Sequence, residues 1–130
     1  MSSVVQTWLF VALAGAAGTL LRYALGGWLA RATGSFPWET LIINVIGCLS
    51  IGFIAGLLDR GALLPPILRM ALMVGFLGGF TTFSSFALEA LRLAQDAQQG
   101  GALVYIFLTN ASSLAGVWIG HASASLVWGG

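Results

Sequence analysis

Uncharged polar side chains recur within the long apolar stretches of this 130-residue sequence. Asn44 follows two isoleucines and precedes a Val-Ile pair, while Thr109 and Ser113 stand four residues apart and would share one face of a helix. Amide and hydroxyl groups donate hydrogen bonds without carrying charge, so a row of them suits the passage of a small anion better than proton-coupled export. Two structural alternatives stay open at this stage. Asn44 could join two helices, and each hydroxyl could bond to a carbonyl of its own helix.

A second candidate site is the segment 75–86, which reads GFLGGFTTFSSF. Its paired glycines and paired threonines disfavour a continuous helix, so the backbone can open here and free carbonyl and N–H groups. Freed carbonyls can coordinate a cation, and the N-terminus of a half-helix favours an anion. Phe83 and Phe86 lie on one helix face. Their rings are either core packing or a source of positively polarised edges beside an anion path.

The remaining reactive and charged side chains give weaker signals. Arg22, near the end of the first apolar stretch, either extends to the membrane interface or draws anions toward a vestibule. Glu89, one turn beyond the Phe-rich segment, can cap a helix or pair near a pore mouth. His121 has no His, Cys or acidic residue close in sequence, which favours an interfacial side chain over a metal ligand. The single cysteine, Cys48, cannot form an intrachain disulfide and is interpreted as small packing material.

Composition excludes several classes of protein. Hydrophobic residues make up 58% of the chain and charged residues only 7%, whereas a soluble domain would carry roughly 25% charged residues. Lipid is therefore the expected solvent. A net charge of +1 offers no basic surface for nucleic acid. The sequence also contains no nucleophile-and-base pattern, HExxH motif or phosphate-binding loop, so an enzyme is not expected.

The hydropathy pattern predicts how the chain crosses the membrane. A helix needs roughly 20 apolar residues to span a hydrocarbon core of about 30 Å. Four stretches meet this requirement, over about residues 4–29, 38–58, 67–91 and 102–127. The short polar connections between them leave no room for a second domain. The sequence thus predicts an all-α integral membrane protein with one transmembrane domain, residues 1–130, and four membrane-spanning helices, the third of them broken at mid-membrane.

Assembly and orientation are less fully determined. Glycines four residues apart, such as Gly52 and Gly56, offer more close-packing faces than a minimal four-helix bundle needs, which favours an oligomer. The arginines divide almost evenly between the two sides of the membrane, two against two or three. Either the chain inserts in both orientations and opposed copies pair about an axis in the membrane plane, or it has one weakly specified orientation. The residues alone leave both alternatives open.

Taken together, these features resemble the Fluc family of fluoride channels, also called CrcB-like proteins. The similarity covers essentially the whole chain and rests on the four-span layout, on Asn44 within INVIG, and above all on the segment 75–86. Two departures from the family pattern are mild. Phe80 stands where leucine is more usual, and Ser85 stands where threonine is more usual.

The resemblance implies an antiparallel, dual-topology homodimer in the inner (plasma) membrane of the cell. Two opposed pores would let cytoplasmic fluoride leave passively, which lowers its toxicity. Five positions of this chain match the family's fluoride pore, namely Asn44, Phe83, Phe86, Thr109 and Ser113. Val117 replaces a hydroxyl that some members carry at the next helical step after Ser113, so the length of the polar track is an open point.

The resemblance also implies one cofactor and a set of vestibule residues. The backbone carbonyls of Gly78 and Thr81 would bind a structural Na⁺ at the dimer centre, which is not transported. Arg22, Thr40 and Glu89 match family positions near the vestibules.

Two other classes of protein compete with this interpretation. A small dual-topology multidrug exporter would use a membrane-embedded Glu for proton coupling, whereas the first span here has no acid and Glu39 and Glu89 lie near span ends. A non-transporting assembly partner would leave Asn44 and the interrupted third span without a purpose.

Overall fold

The computed structural model describes residues 2–129 of the chain. Within that part, all regular secondary structure is helical, and four helices are long and apolar enough to cross a membrane. These spans are Ser3–Thr33, Trp38–Asp59, Pro66–Gln95 and Gln99–Leu126. The prediction of an all-α chain with four helices of membrane-spanning length and composition is thereby confirmed.

The first helix is longer than the sequence indicated. Helix α1, Ser3–Thr33, begins where the Ser2 hydroxyl accepts a hydrogen bond from the backbone N–H of Val5 at 3.4 Å. It ends at Gly34, whose φ of 77° is one that other residues rarely adopt. The helix therefore continues past residue 29, the end that hydropathy predicts, because no residue before Gly34 breaks it.

The second and fourth spans are continuous helices. Helix α2 is Trp38–Asp59, and the chain then turns at Gly61 with a φ of 87°. The last long helix covers Gln99–Ser123 and continues into a 3-10 turn, Ala124–Leu126. It is called α6 below, after the helices of the third span.

The third span is built from several short segments in series. Helix α3 is Pro66–Met70, a π-helical segment covers Ala71–Phe76, helix α4 is Leu77–Phe80, and helix α5 is Phe83–Gln95. Between α4 and α5, the backbone is extended at Thr81 (φ −83°, ψ 158°) and at Thr82 (φ −149°, ψ 116°). Thr82 then caps α5, because its hydroxyl accepts the backbone N–H of Ser85 at 3.2 Å.

Glycines allow the spans to pack backbone against backbone. A Cβ added at Gly52 or Gly120 would collide with a carbonyl oxygen of the facing helix, that of Val117 or Leu49. Gly79 of the third span meets α1 in the same way. The close-packing faces that favoured an oligomer in the sequence are thus used inside one subunit, and they give no separate argument for a second copy.

The ends of α2 and α6 are joined by a polar cluster. His121 Nε2 lies 2.8 Å from Asp59 Oδ2, and the Arg60 guanidinium donates to the carbonyl oxygens of Gly56 at 2.9 Å and His121 at 3.2 Å. An acidic partner for His121 was not expected, because Asp59 is 62 residues away in sequence and only helix packing brings it near.

Asn44 fixes the interruption of the third span to α2. Its side-chain Nδ2 donates to the carbonyl oxygen of Thr82 at 3.0 Å, and its Oδ1 accepts the backbone N–H of Thr82 at 2.8 Å. A single side chain therefore satisfies both backbone groups of a residue that has left the helix. An unpaired backbone group in lipid costs several kcal/mol, so this exchange stabilises the extended conformation.

We expect Asn44→Leu to destabilise the folded protein by about 1–3 kcal/mol for each Thr82 group left unpaired. The free energy of unfolding in bicelles measures this loss. Asn110→Leu is the matched control, because the Asn110 side chain is exposed and donates only to the Ile106 carbonyl of its own helix, at 2.7 Å. Equal losses in the two variants would contradict the proposed importance of the Asn44 contact.

Candidate functional site

The five residues assigned to a pore from the sequence border a single cavity of about 320 Å³ between α2, the third span and α6. It is lined by Asn44, Gly47, Cys48, Ile51, Met73, Leu77, Gly78, Thr81, Thr82, Phe83, Phe86, Thr109, Asn110 and Ser113. None of these residues carries a charge. The cavity wall is therefore a mixture of apolar groups and neutral hydrogen-bonding groups.

Two hydroxyl groups at this wall have no internal partner. Thr109 is 4% exposed, and neither its Oγ1 nor the Oγ of Ser113 has a hydrogen-bond partner among residues 2–129. Ser112, in contrast, donates to the Leu108 carbonyl of its own helix at 2.5 Å. The alternative of bonding within the helix thus holds for Ser112 but not for Thr109 and Ser113. Buried hydroxyls are usually satisfied, so these two residues are exceptions, and both border the cavity.

The two phenylalanines occupy different environments. Their ring centroids are 5.3 Å apart with an angle of 57° between the planes. Phe86 is 6% exposed and packs against Tyr105, whereas Phe83 is 74% exposed. Phe86 therefore belongs both to the core and to the cavity wall, and Phe83 presents its ring to the outside of the subunit.

At the interruption between α4 and α5, two backbone N–H groups donate to acceptors other than the carbonyls that they would meet in a continuous helix. In a continuous helix the N–H groups of Thr82 and Ser85 would bond to the carbonyls of Gly78 and Thr81. Here those N–H groups donate to Asn44 Oδ1 and to the Thr82 hydroxyl. The carbonyls of Gly78 and Thr81 thus lose their helical donors, and both residues line the cavity.

This arrangement fits the Na⁺ site that the family resemblance implies. Unwound backbone carbonyls are a recurrent way to coordinate Na⁺ within a membrane protein. No group of three or more His, Cys, Asp or Glu side chains capable of holding a metal occurs in the described part of the chain. A cation bound here would depend on backbone oxygens such as those of Gly78 and Thr81.

A second cavity, of about 440 Å³, contains the residues assigned to a vestibule. Arg22, Thr40 and Glu89 all border it, and Thr82 borders both this cavity and the first one. The guanidinium of Arg22 donates through Nε to the Gly79 carbonyl at 3.0 Å. Arg22 therefore borders this cavity and bonds to the third span.

Glu89 is held in place by two hydroxyl groups. Thr40 donates to its Oε1 at 2.8 Å, and the phenol of Tyr105 donates to its Oε2 at 2.7 Å. Tyr105 is fully buried, and the sequence reasoning did not select it. The spacing of the sequence does point to it, since Tyr105, Thr109 and Ser113 follow one another at intervals of four residues and so share a helix face.

Comparison with known proteins places the chain in a family. Residues 9–121 match the family of CrcB-like, camphor-resistance proteins. A relative from Rhodospirillum rubrum, named fluoride-specific ion channel FluC, is 48% identical over 125 residues, which are 94% of this chain and 97% of the relative. Relatives of the same name from Acidobacterium capsulatum and Nitratidesulfovibrio vulgaris are 44% and 42% identical, over 87% and 94% of this chain and over 91% and 99% of their own lengths. With four membrane-spanning helices and a family match over most of its length, the chain belongs to the CrcB-like family of membrane proteins.

Proposed function

We propose that this protein is a fluoride-selective ion channel that lets cytoplasmic fluoride leave the cell passively and so lowers its toxicity. Relatives that carry the name fluoride-specific ion channel cover nearly the whole chain. The structural observation that carries the proposal is the uncharged cavity, which is bordered by Asn44, Phe83, Phe86, Thr109 and Ser113. The protein is a channel and not an enzyme.

The chemistry of the cavity suits fluoride. A selective pore must replace the water around a strongly hydrated ion, yet bind the ion weakly enough that it can depart. Neutral hydroxyl and amide donors meet both requirements, whereas a buried guanidinium would hold the anion too firmly. The charged residues Arg22 and Glu89 border the second cavity instead, where they can attract or repel ions before these enter.

Asn44 has a structural role and one remaining donor. An Asn side chain carries two N–H groups, and the contact with the Thr82 carbonyl uses one of them. We infer that the second N–H faces the fluoride path. Thr109 and Ser113 then provide the next donors along α6, and the edges of Phe83 and Phe86 provide positively polarised C–H groups beside them.

The exposure of Phe83 supports an antiparallel homodimer. A channel that uses this ring must enclose it, yet a single subunit leaves it 74% exposed. We infer that an opposed copy covers Phe83 and that the two copies together form two pores. Each chain contributes a single transmembrane domain. The near-even division of arginines is consistent with insertion in both orientations. The Gly78 and Thr81 carbonyls, together with those of the partner, would bind a structural Na⁺ at the dimer centre, where the interrupted third spans meet at mid-membrane.

The location that follows from passive export is the inner (plasma) membrane, across which the cytoplasmic fluoride must pass.

The competing exporter interpretation lacks support, because the relatives are named as fluoride channels. Neither acid of the second cavity is an unpaired carboxylate at the centre of a helix. Glu89 is bonded to Thr40 and Tyr105, and Glu39 lies in the first turn of α2.

Fluoride efflux from proteoliposomes tests the proposed function directly. We expect rapid fluoride release, followed with a fluoride electrode, and negligible chloride release from the same preparation, because only the small anion fits closely spaced neutral donors. Empty liposomes provide the background. Equal fluxes of the two halides, or no fluoride flux from correctly folded protein, would overturn the proposal.

The role of the aromatic edge can be tested with matched phenylalanine variants. A contact that lowers the barrier by about 1.4 kcal/mol is worth about tenfold in rate, and we expect Phe83→Ile to slow fluoride efflux by at least that much. Phe107→Ile is the control, because Phe107 is also 74% exposed but does not border the cavity. If both variants conduct like the original protein, the Phe83 ring is not part of the ion path.

Orientation in the membrane can be measured with a single cysteine in the loop after α2. In a Cys48→Ser background, Leu63→Cys places a thiol at a position that is 96% exposed. We expect an impermeant maleimide to label about half of the molecules from each side of the membrane, as dual topology requires. Complete labelling from one side alone would refute the antiparallel dimer.

A further inference from the structure

The only cysteine of the chain lies at the wall of the cavity of about 320 Å³, which is called the pore cavity below. Cys48 follows Asn44 by one helical turn, and the cavity is bordered by residues 44, 47, 48 and 51 of α2. This spacing defines one face of a helix, so the thiol is on the same face of α2 as the Asn44 amide. The interpretation of Cys48 as packing material does not account for this position.

A second sulfur borders the same cavity. Met73 belongs to the π-helical segment of the third span and lines the cavity together with Cys48. Both side chains are partly exposed in the single subunit. Thiolate and thioether are the two soft ligands that proteins use for soft metal ions. Thr109, which is 4% exposed and has an unpartnered Oγ1, borders the same cavity.

The packing around Cys48 brings the third span close to α2. Gly47 has no side chain, and a Cβ at this position would collide with the methyl group of Thr81. The extended residues Thr81 and Thr82 therefore lie directly against the face of α2 that bears the thiol. An ion bound by Cys48 would occupy the space next to Asn44 rather than a separate pocket.

We propose that Cys48 and Met73 form a binding site for a soft, thiophilic metal ion such as Ag⁺, and that occupancy of this site closes the pore. In the binding step the S–H bond of Cys48 breaks, an S–Ag bond forms, and the proton passes to water. No atom changes oxidation state. The Met73 thioether supplies the second soft ligand. Closure of the pore rests on the proposed function, whereas metal binding does not.

Two measurements on proteoliposomes in chloride-free nitrate medium test this site. The first is the number of silver ions bound per chain, determined by native mass spectrometry after the lipid is removed. The second is the ratio of fluoride efflux with silver to efflux without it, taken within each variant. We expect one silver ion per chain and a loss of roughly nine-tenths or more of the efflux, since a filled cavity cannot conduct. Dithiothreitol should restore the flux by competing for the metal.

Three variants test whether silver blocks fluoride efflux by binding at Cys48 and Met73. Cys48→Ser should bind no silver and keep its efflux ratio near one. Met73→Leu should still react but require a higher silver concentration, because one soft ligand is missing. The control is Leu63→Cys in the Cys48→Ser background, which should bind one silver ion in an exposed loop without any change of the efflux ratio.

The possible failures are distinguishable. Silver bound at Cys48 with an unchanged efflux ratio would show that the thiol lies off the ion path, and absence of bound silver would show that no such site exists. Equal silver affinity of the original protein and Met73→Leu would remove the thioether from the site. If no fluoride flux is seen before silver is added, the proposed function fails instead, and the stoichiometry and the Met73 comparison still decide the metal site.

Discussion

The two hydrogen bonds between Asn44 and the backbone of Thr82 maintain a conformation that lipid would otherwise penalise. Within a bilayer every backbone N–H and C=O must find a partner inside the protein. Because Asn44 satisfies both groups of Thr82, the third span can leave the helix for two residues and begin again at Phe83. The Gly78 carbonyl loses its helical donor to Asn44, and the Thr81 carbonyl loses its own to the Thr82 hydroxyl. One amide side chain thus underlies both the interruption of the third span and the release of the Gly78 carbonyl from its helical donor.

Charged residues and neutral hydrogen-bonding residues border different cavities of the protein. The pore cavity has no charged residue in its wall, while Arg22 and Glu89 border the second cavity, and Thr82 is common to both. The charged groups are held by specific contacts, Arg22 by the Gly79 carbonyl and Glu89 by Thr40 and Tyr105. A charge fixed at an entrance can bias which ions arrive, and neutral donors further in can exchange for water without trapping the ion.

The features that sequence reasoning predicts well are those set by length and periodicity. Four spans follow from hydropathy, and Thr109 and Ser113 lie at one cavity because residues four apart share a helix face. Contacts between distant segments depend on how the helices are aligned, which periodicity does not determine. The pairing of Glu89 with Tyr105, that of Asp59 with His121, and the use of the glycine faces within one subunit all belong to this second group.

Phe83 and Phe86 are buried to very different extents within one subunit. Phe86 packs against Tyr105 in the core, yet the neighbouring ring, with its centroid 5.3 Å away, lies outside the core. Lipid could cover Phe83 at no cost, but lipid gives no reason for an aromatic ring at the wall of a cavity that Thr109 and Ser113 also border. The proposed second copy would give that reason, because it would enclose the ring beside Thr109 and Ser113. In the proposed dimer, one chain would supply the donors of each pore and the other chain would enclose them.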